Sequence, residues 1–76
     1  MATVIEILAQ KVLDTFGIEN RRNYLILKSY IQKLSETELL SEIEKVTNPR
    51  IFPILFSVGL PFEIQKAIVK KAKELE

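Results

Sequence analysis

Apolar residues recur every three or four positions along most of this chain, which is the spacing of one face of an α-helix. No stretch alternates between apolar and polar residues over the length of a β-strand. The pattern indicates helices over residues 4–16, 21–34, 36–47, 49–58 and 61–76. It predicts an all-α protein in which residues 1–76 form a single small helical domain, a compact bundle of four to five short helices arranged as helical hairpins.

Residues with known capping preferences mark the ends of these segments. Gly17 is expected to end the first helix in the left-handed conformation, with Ile18 folding back on Leu13. Asn20 is expected to cap the second helix, and Gly59 is expected to end the fourth. The spacing of a capping box, a Ser or Thr three residues before a Glu, occurs twice, in Thr3 with Glu6 and in Ser35 with Glu38.

Four of the predicted helices have one apolar face, which is expected to form the core because a surface helix buries only one side. The expected inward residues are Ile5, Leu8, Ala9, Val12, Leu13 and Phe16 on the first helix, Tyr24, Leu27, Tyr30, Ile31 and Leu34 on the second, Leu39, Leu40, Ile43 and Val46 on the third, and Ile64, Ile68, Ala72 and Leu75 on the fifth. The outer face of the third helix carries the acidic residues Glu38, Glu42 and Glu44.

The fourth predicted helix belongs to an uncharged segment, residues 51–62. Asn48 as N-cap and Pro49 at the first helical position begin it. Apolar side chains cover most of its circumference, as in a helix at the centre of a fold. Pro53 lies on the remaining polar side, so the carbonyl of Pro49, which loses its helical partner to the proline, is expected to face water. Alternatively, so small a chain leaves part of this segment to meet another chain.

The composition excludes several kinds of chemistry. The 76 residues include no Cys and no His, which leaves no disulfide, no thiolate or imidazole metal ligand and no Ser-His or Cys-His nucleophile. With two glycines, the chain cannot build a glycine-rich phosphate-binding loop. We therefore expect a protein that is not an enzyme, with no cofactor, no metal site and no small-molecule substrate.

The cellular location is inferred from what the sequence lacks. No basic region precedes an apolar run at the N-terminus, as it does in a secretory signal peptide. The longest uncharged run is too short to cross a bilayer. A cytoplasmic location without membrane association is expected. The absence of Cys and the abundance of Ile, Lys and Glu resemble the composition of thermophile proteins.

A chain of this length buries about 60% of its unfolded surface, and many such chains gain stability by association. The favoured function is therefore a non-catalytic protein–protein interaction module, either self-associating or a small accessory subunit of a larger assembly. Ile7 lies among polar residues of the first helix, and Leu25 lies within a basic arc of the second. The candidate interface residues are Phe52, Phe56, Phe62, Ile7 and Leu25.

The alternative function is a small nucleic-acid-binding regulator that uses a basic helix face. Although the net charge is only +1, the basic residues are grouped by helix. The candidates are Lys66, Lys70 and Lys73 on the fifth helix, supported by Arg21, Arg22, Lys28 and Lys33 on the second. The simpler explanation, that amphipathic helices need charged outer faces, is favoured over nucleic-acid binding. The placement of the four phenylalanines distinguishes the two functions. If all of them are interior, no phenylalanine is available to bind a partner, and the interface hypothesis loses its main candidates.

Overall fold

The computed structural model describes residues 3–75, and every regular element in that range is helical. The elements are α1 Val4–Leu13, α2 Gly17–Gln32, α3 Glu36–Glu44, a 3-10 turn Pro49–Ile51, α4 Phe52–Ser57 and α5 Phe62–Glu74. The prediction of a small all-α bundle is confirmed. The radius of gyration of the Cα atoms is 11.6 Å, close to the roughly 11.4 Å expected for a compact chain of this length.

Helix α1 holds the bundle together. It packs along α2 to form a hairpin, and it also contacts α3, α4 and the 3-10 turn, while α5 packs on α3 and α4. The predicted core faces are largely confirmed. The least exposed large side chains are Ile5, Leu27, Ile43, Val46, Ile51, Leu55, Ile64 and Ile68.

The turn between α1 and α2 differs from the prediction. Gly17 has the predicted left-handed conformation, with a φ of 61°, but α1 already ends at Leu13, earlier than expected, and Gly17 is the first residue of α2. Asn20 does not cap α2 but lies within it, and its amide donates to the carbonyl of Val12 at 2.6 Å and of Thr15 at 3.1 Å. This side chain therefore satisfies carbonyls at the end of α1, a task that the sequence pattern assigned to the glycine.

The early end of α1 leaves two apolar residues, Phe16 and Ile18, on the surface. Phe16, predicted to face the core, is 88% exposed, because the chain has already left the helical path when it reaches this residue. Ile18, predicted to fold back on Leu13, is also exposed. Both predictions were wrong for the same reason, the position of the helix end.

The apolar segment around α4 is buried over much of its circumference, as predicted. Ile51, Phe52 and Leu55 are buried and Pro53 is exposed on the polar side, whereas Phe56 remains 40% exposed. The segment begins as a 3-10 turn in which the N–H of Phe52 donates to the carbonyl of Pro49. This carbonyl was predicted to lack a partner in the helix, but it has one. A tighter turn before Pro53 thus supplies a partner for the group that the proline cannot bond.

Asn48 begins this segment as predicted, since its side chain accepts from the N–H of Arg50 at 3.1 Å. Gly59 follows α4 with a φ of 86°, the left-handed conformation expected at the end of a helix. The hydroxyl of Tyr24 donates to the carbonyl of Ser57 at 2.6 Å, which ties α2 to the last turn of α4.

Glu6 is buried, although the sequence places it on the polar side of the first helix. Its N–H donates to Thr3 Oγ1 at 3.3 Å, so half of the expected capping box forms. Its carboxylate turns instead to the segment between α3 and the 3-10 turn. Oε1 accepts from the N–H groups of Thr47 at 3.0 Å and Asn48 at 2.8 Å, and from Thr47 Oγ1 at 3.3 Å. Glu6 therefore fastens that segment to α1.

Glu42 of α3 has a similar role at the start of α1. It was expected to face solvent, but Oε1 accepts from the N–H of Ile5 at 3.2 Å and Oε2 accepts from the hydroxyl of Tyr30 at 2.7 Å. The capping box of Ser35 and Glu38 forms in full, and its hydrogen bonds from Ser35 lower the pKa of Glu38. Glu42 thus connects α3 to α1 and α2, whereas Glu38 caps its own helix.

The contact between Tyr30 and Glu42 predicts a pH effect. The hydrogen bond to Glu42, together with desolvation and the nearby negative charge, raises the pKa of Tyr30 from 10.0 to about 12. The unfolded chain then loses this proton at lower pH than the folded chain does. The stabilisation is complete below pH 10 and is lost as the pH rises through about 12. Denaturant titrations of Tyr30→Phe across this window should show a smaller fall in stability than the unaltered protein shows. An identical fall in both proteins contradicts the assignment.

Candidate protein-interaction surface

Apolar side chains remain exposed on several helices. The large ones are Val4, Ile7, Phe16, Ile18, Leu25, Ile26, Phe56, Phe62 and Val69. Scattered apolar residues are normal on protein surfaces, so their grouping and surroundings carry more information than their number.

The structure divides the five interface candidates. Phe52 is 4% exposed and packs in the core, so its side chain is not available on the surface. It lies one turn before Phe56, and the two side chains point in related directions from a helix that has one buried side. Phe56, Phe62, Ile7 and Leu25 are exposed, so three of the four phenylalanines, counting Phe16, lie outside the core.

Of these candidates, Leu25 lies in a groove. The groove has a volume of about 440 Å³ and runs along the outer side of α2 next to α1. Its lining residues are Leu8, Arg22, Leu25, Ile26, Ser29, Tyr30 and Lys33. We call this feature the α2 groove. Leu25 and Ile26 are 55% and 49% exposed, whereas Leu8 and Tyr30 are half-buried and connect the groove to the core.

Helical geometry orders the lining of the α2 groove. At about 100° per residue, Arg22, Ile26 and Lys33 lie within about 40° of one another around α2, and Leu25 lies about 60° from Arg22. Arg22 and Lys33 are eleven positions apart, which corresponds to about 16 Å along the helix axis. The groove therefore has a cation at each end and apolar side chains between them.

Ile7 lies in a different setting. It lines a second groove, of about 380 Å³, whose other lining residues are Glu6, Gln10, Lys11, Asp14, Thr47 and Asn48. The polar groups there bond to one another, since Asn48 Nδ2 donates to Gln10 Oε1 at 2.9 Å and Gln10 Nε2 donates to Asp14 Oδ1 at 3.0 Å. Ile7 is a single apolar side chain in a polar surface and does not extend an apolar patch.

Phe62 lies at the start of α5 beside a basic residue. Its ring is 5.0 Å from Lys66 Nζ, the distance of a cation–π contact, and the same ammonium group is 3.9 Å from Glu63. Lys70 and Lys73 are exposed further along α5. Lys66 therefore already has local partners within its own helix.

The basic residues of α2 are separated from those of α5. Arg21, Arg22 and Lys33 are exposed, and Lys28 is half-buried. Helix α2 packs mainly on α1, whereas α5 packs on α3 and α4. Helices α2 and α5 therefore make little direct contact, and the acidic helix α3 is the neighbour of α5.

No family model, curated protein or solved structure matches this chain. Each helix within residues 3–75 is too short or too polar to cross a bilayer. The chemistry of the α2 groove is therefore the basis for assigning a function.

The sequence pattern identified Leu25 but missed Leu8, Ile26 and Tyr30 as parts of one surface. A signal for Ile26 was present, because Leu25, Ile26 and Leu27 are consecutive. Consecutive helical residues point about 100° apart, so three in a row cannot all face one core. Leu27 is fully buried, and its two neighbours are left outside. Leu8 has no such signal, since its position in the groove depends on how α1 packs against α2.

Proposed function

We propose that this protein is a non-catalytic protein-interaction module whose binding surface is the α2 groove. The observation that carries the proposal is the exposure of Leu25 and Ile26 side by side, on a helix that already buries Leu27 and Ile31 against the rest of the fold. Leu25 and Ile26 are therefore not part of the core. Burying apolar surface is the main favourable term in protein association, and an exposed apolar groove with charged ends is a suitable binding surface.

The dimensions of the groove fit recognition of a helix. Its lining residues extend over three turns of α2, and grooves of this kind accept the apolar face of an amphipathic helix through anchors at i, i+3 or i+4, and i+7. A small helical domain with a groove of this kind suits the role of an accessory subunit in a larger assembly.

Nucleic-acid binding is the second candidate and has less support. Phosphate contacts need several cations that act together. The exposed lysines of α5 lie on a helix apart from the basic residues of α2, and Lys66 is close to Glu63. The α2 groove also places apolar side chains, not further cations, between Arg22 and Lys33.

A display library of helical peptides with randomised apolar and charged positions tests the proposed function. Peptides selected on the unaltered protein should lose binding to Leu25→Asp, because a carboxylate in the groove would have to be desolvated by an apolar anchor. Ile7→Asp places the same charge on an exposed site outside the α2 groove and should leave binding unchanged. Both variants should keep the helical circular dichroism of the parent.

Two results contradict the proposal. One is a library that yields no peptide whose binding depends on Leu25. The other is binding of duplex DNA at about 50 mM salt that weakens when Lys66, Lys70 and Lys73 are changed together to Gln, which supports the nucleic-acid function instead. Native mass measurements of the protein alone, at increasing concentration, show whether the protein also binds a second copy of itself.

A further inference from the structure

The two charged residues that line the α2 groove, Arg22 and Lys33, are both basic. Arg22 and Lys33 line its two ends, and Arg21 and Lys28 lie on the same helix just beyond Leu25. Glu19 is the single acidic residue of α2, and it lies outside the groove lining, in the first turn of the helix. A partner that covers the groove therefore meets a cationic side chain at each end and apolar side chains between them.

A second copy of this chain fits the groove poorly. In a symmetric dimer the same surface meets itself. If two α2 helices pack in opposite directions, Arg22 of one faces Lys33 of the other, and if they pack in the same direction each cation faces its own copy. Like charges brought together at an interface oppose binding, and no acidic residue of the groove lining offsets them.

The acidic helix of a second copy does not solve this problem. Helix α3 has exposed acids, among them Glu36, Glu38 and Glu44. Its large apolar side chains, however, face the core, with Leu39 and Ile43 buried. It can supply negative charge to the groove but no apolar anchors. Binding of α3 would therefore leave Leu25 and Ile26 without partners.

We infer that the α2 groove binds an acidic amphipathic helix of another protein. This inference rests on the proposed function and names the chemistry of the partner. The occupant needs about three turns, because Arg22 and Lys33 are about 16 Å apart along the axis of α2. Its apolar anchors contact Leu25, Ile26 and Leu8, and an Asp or Glu near each end faces Arg22 and Lys33.

The preference for an acidic partner follows from the cations Arg22 and Lys33 at the two ends of the groove. Complementary charges at the ends of a helix-in-groove interface speed the encounter and set the orientation of the helix, while the anchors provide most of the affinity. Arg22 also has the planar guanidinium group that pairs with a carboxylate through two hydrogen bonds. An acidic helix is therefore preferred over a basic helix with the same anchors.

A pair of synthetic peptides tests this preference. Both are about 15 residues long, about four turns, with leucines at i, i+4, i+7 and i+11. One has glutamates at the flanking positions and the other has lysines at the same positions. Fluorescence anisotropy at about 0.1 M salt should give an affinity at least about tenfold tighter for the acidic peptide. Leu25→Asp should abolish this binding.

Charge reversal provides the decisive variant. Arg22→Glu combined with Lys33→Glu should reverse the preference, so that the basic peptide binds more tightly than the acidic one. The matched control is Lys70→Glu combined with Lys73→Glu, which changes the net charge equally on the exposed side of α5 and should retain the preference. Circular dichroism verifies that both double variants keep their helices.

The outcomes separate this inference from the proposed function. If both peptides bind equally and Leu25→Asp abolishes both, the acidic partner is wrong but the interaction module stands. The same conclusion follows if neither peptide binds but the library yields groove-dependent binders without acidic flanks. If neither peptide binds and the library yields no groove-dependent binder, both proposals fail. A dimer that Leu25→Asp dissociates would make a second copy the occupant and overturn the inference.

Discussion

Phe52→Asp is expected to unfold the protein. Phe52 is 4% exposed and belongs to the core cluster together with Ile51 and Leu55. Removing a buried phenylalanine side chain costs about 3–5 kcal/mol, and an unpaired buried carboxylate costs more. A chain of 76 residues has a total stability of about 4–11 kcal/mol at roughly 0.05–0.15 kcal/mol per residue. The substitution therefore removes most or all of it.

Far-ultraviolet circular dichroism and a thermal melt measure this effect. Two matched controls carry the same substitution at exposed phenylalanines. Phe56→Asp should remain folded, with a loss of about 1 kcal/mol. Phe62→Asp should lose less, because Phe62 is the first residue of α5 and a negative charge there interacts favourably with the helix dipole.

The comparison of the three variants decides where the apolar segment belongs. A folded Phe52→Asp protein with a cooperative melt would place this ring on the surface and contradict the core described above. Unfolding of Phe56→Asp as well would extend the core to Phe56, one turn beyond Phe52. Either result would change the set of side chains that remain for a partner.

Glu6→Ala is expected to destabilise the protein by about 3 kcal/mol. The carboxylate accepts three hydrogen bonds at 2.8–3.3 Å, from the N–H groups of Thr47 and Asn48 and from the hydroxyl of Thr47. Hydrogen bonds to charged groups contribute about 1.5–3 kcal/mol each, and they are not fully additive. Without Glu6, the N–H groups of Thr47 and Asn48 lose their acceptor in a partly buried place.

Two measurements test this role of Glu6. Denaturant titration gives the free energy of unfolding, and hydrogen exchange reports the amides of Thr47 and Asn48, which should exchange faster in Glu6→Ala than in the unaltered protein. Glu6→Gln retains one acceptor oxygen and should lose about 1 kcal/mol. Glu44→Ala removes an exposed glutamate of α3 and should change neither quantity. Unchanged exchange at both amides in Glu6→Ala would show that Glu6 does not hold this segment.

The candidate surface could be predicted in part. Leu25 was identified because an apolar residue within a basic arc is out of place on an amphipathic helix. The apolar character of residues 51–62 was also recognised, but its assignment to the core or to the surface was left open. Phe52 and Phe56 have the same chemistry and lie one turn apart, so the sequence pattern does not distinguish the buried ring from the exposed one, which depends on how α4 packs against its neighbours.

The polar contacts were beyond sequence analysis. Glu6 and Glu42 both lie at positions that a helical wheel marks as outward. Each accepts hydrogen bonds from residues 12 to 42 positions away, namely Tyr30, Ile5, Thr47 and Asn48. A wheel describes one helix against an idealised flat core, and it carries no information about backbone donors that another segment presents. Such donors exist only after α1, α3 and the following segment have packed.

The sequence by itself determined the number of helices, their core faces and most of their starts. These features depend on local physics, namely the 3.6-residue period of apolar side chains and the short-range hydrogen bonds of capping residues such as Ser35 and Asn48. The tertiary structure decided where α1 ends, because the carbonyls at its end are satisfied by Asn20 from the next helix. It also placed Leu8 beside Ile26 to form the α2 groove, since a surface shared by two helices depends on their packing and not on the pattern of either one.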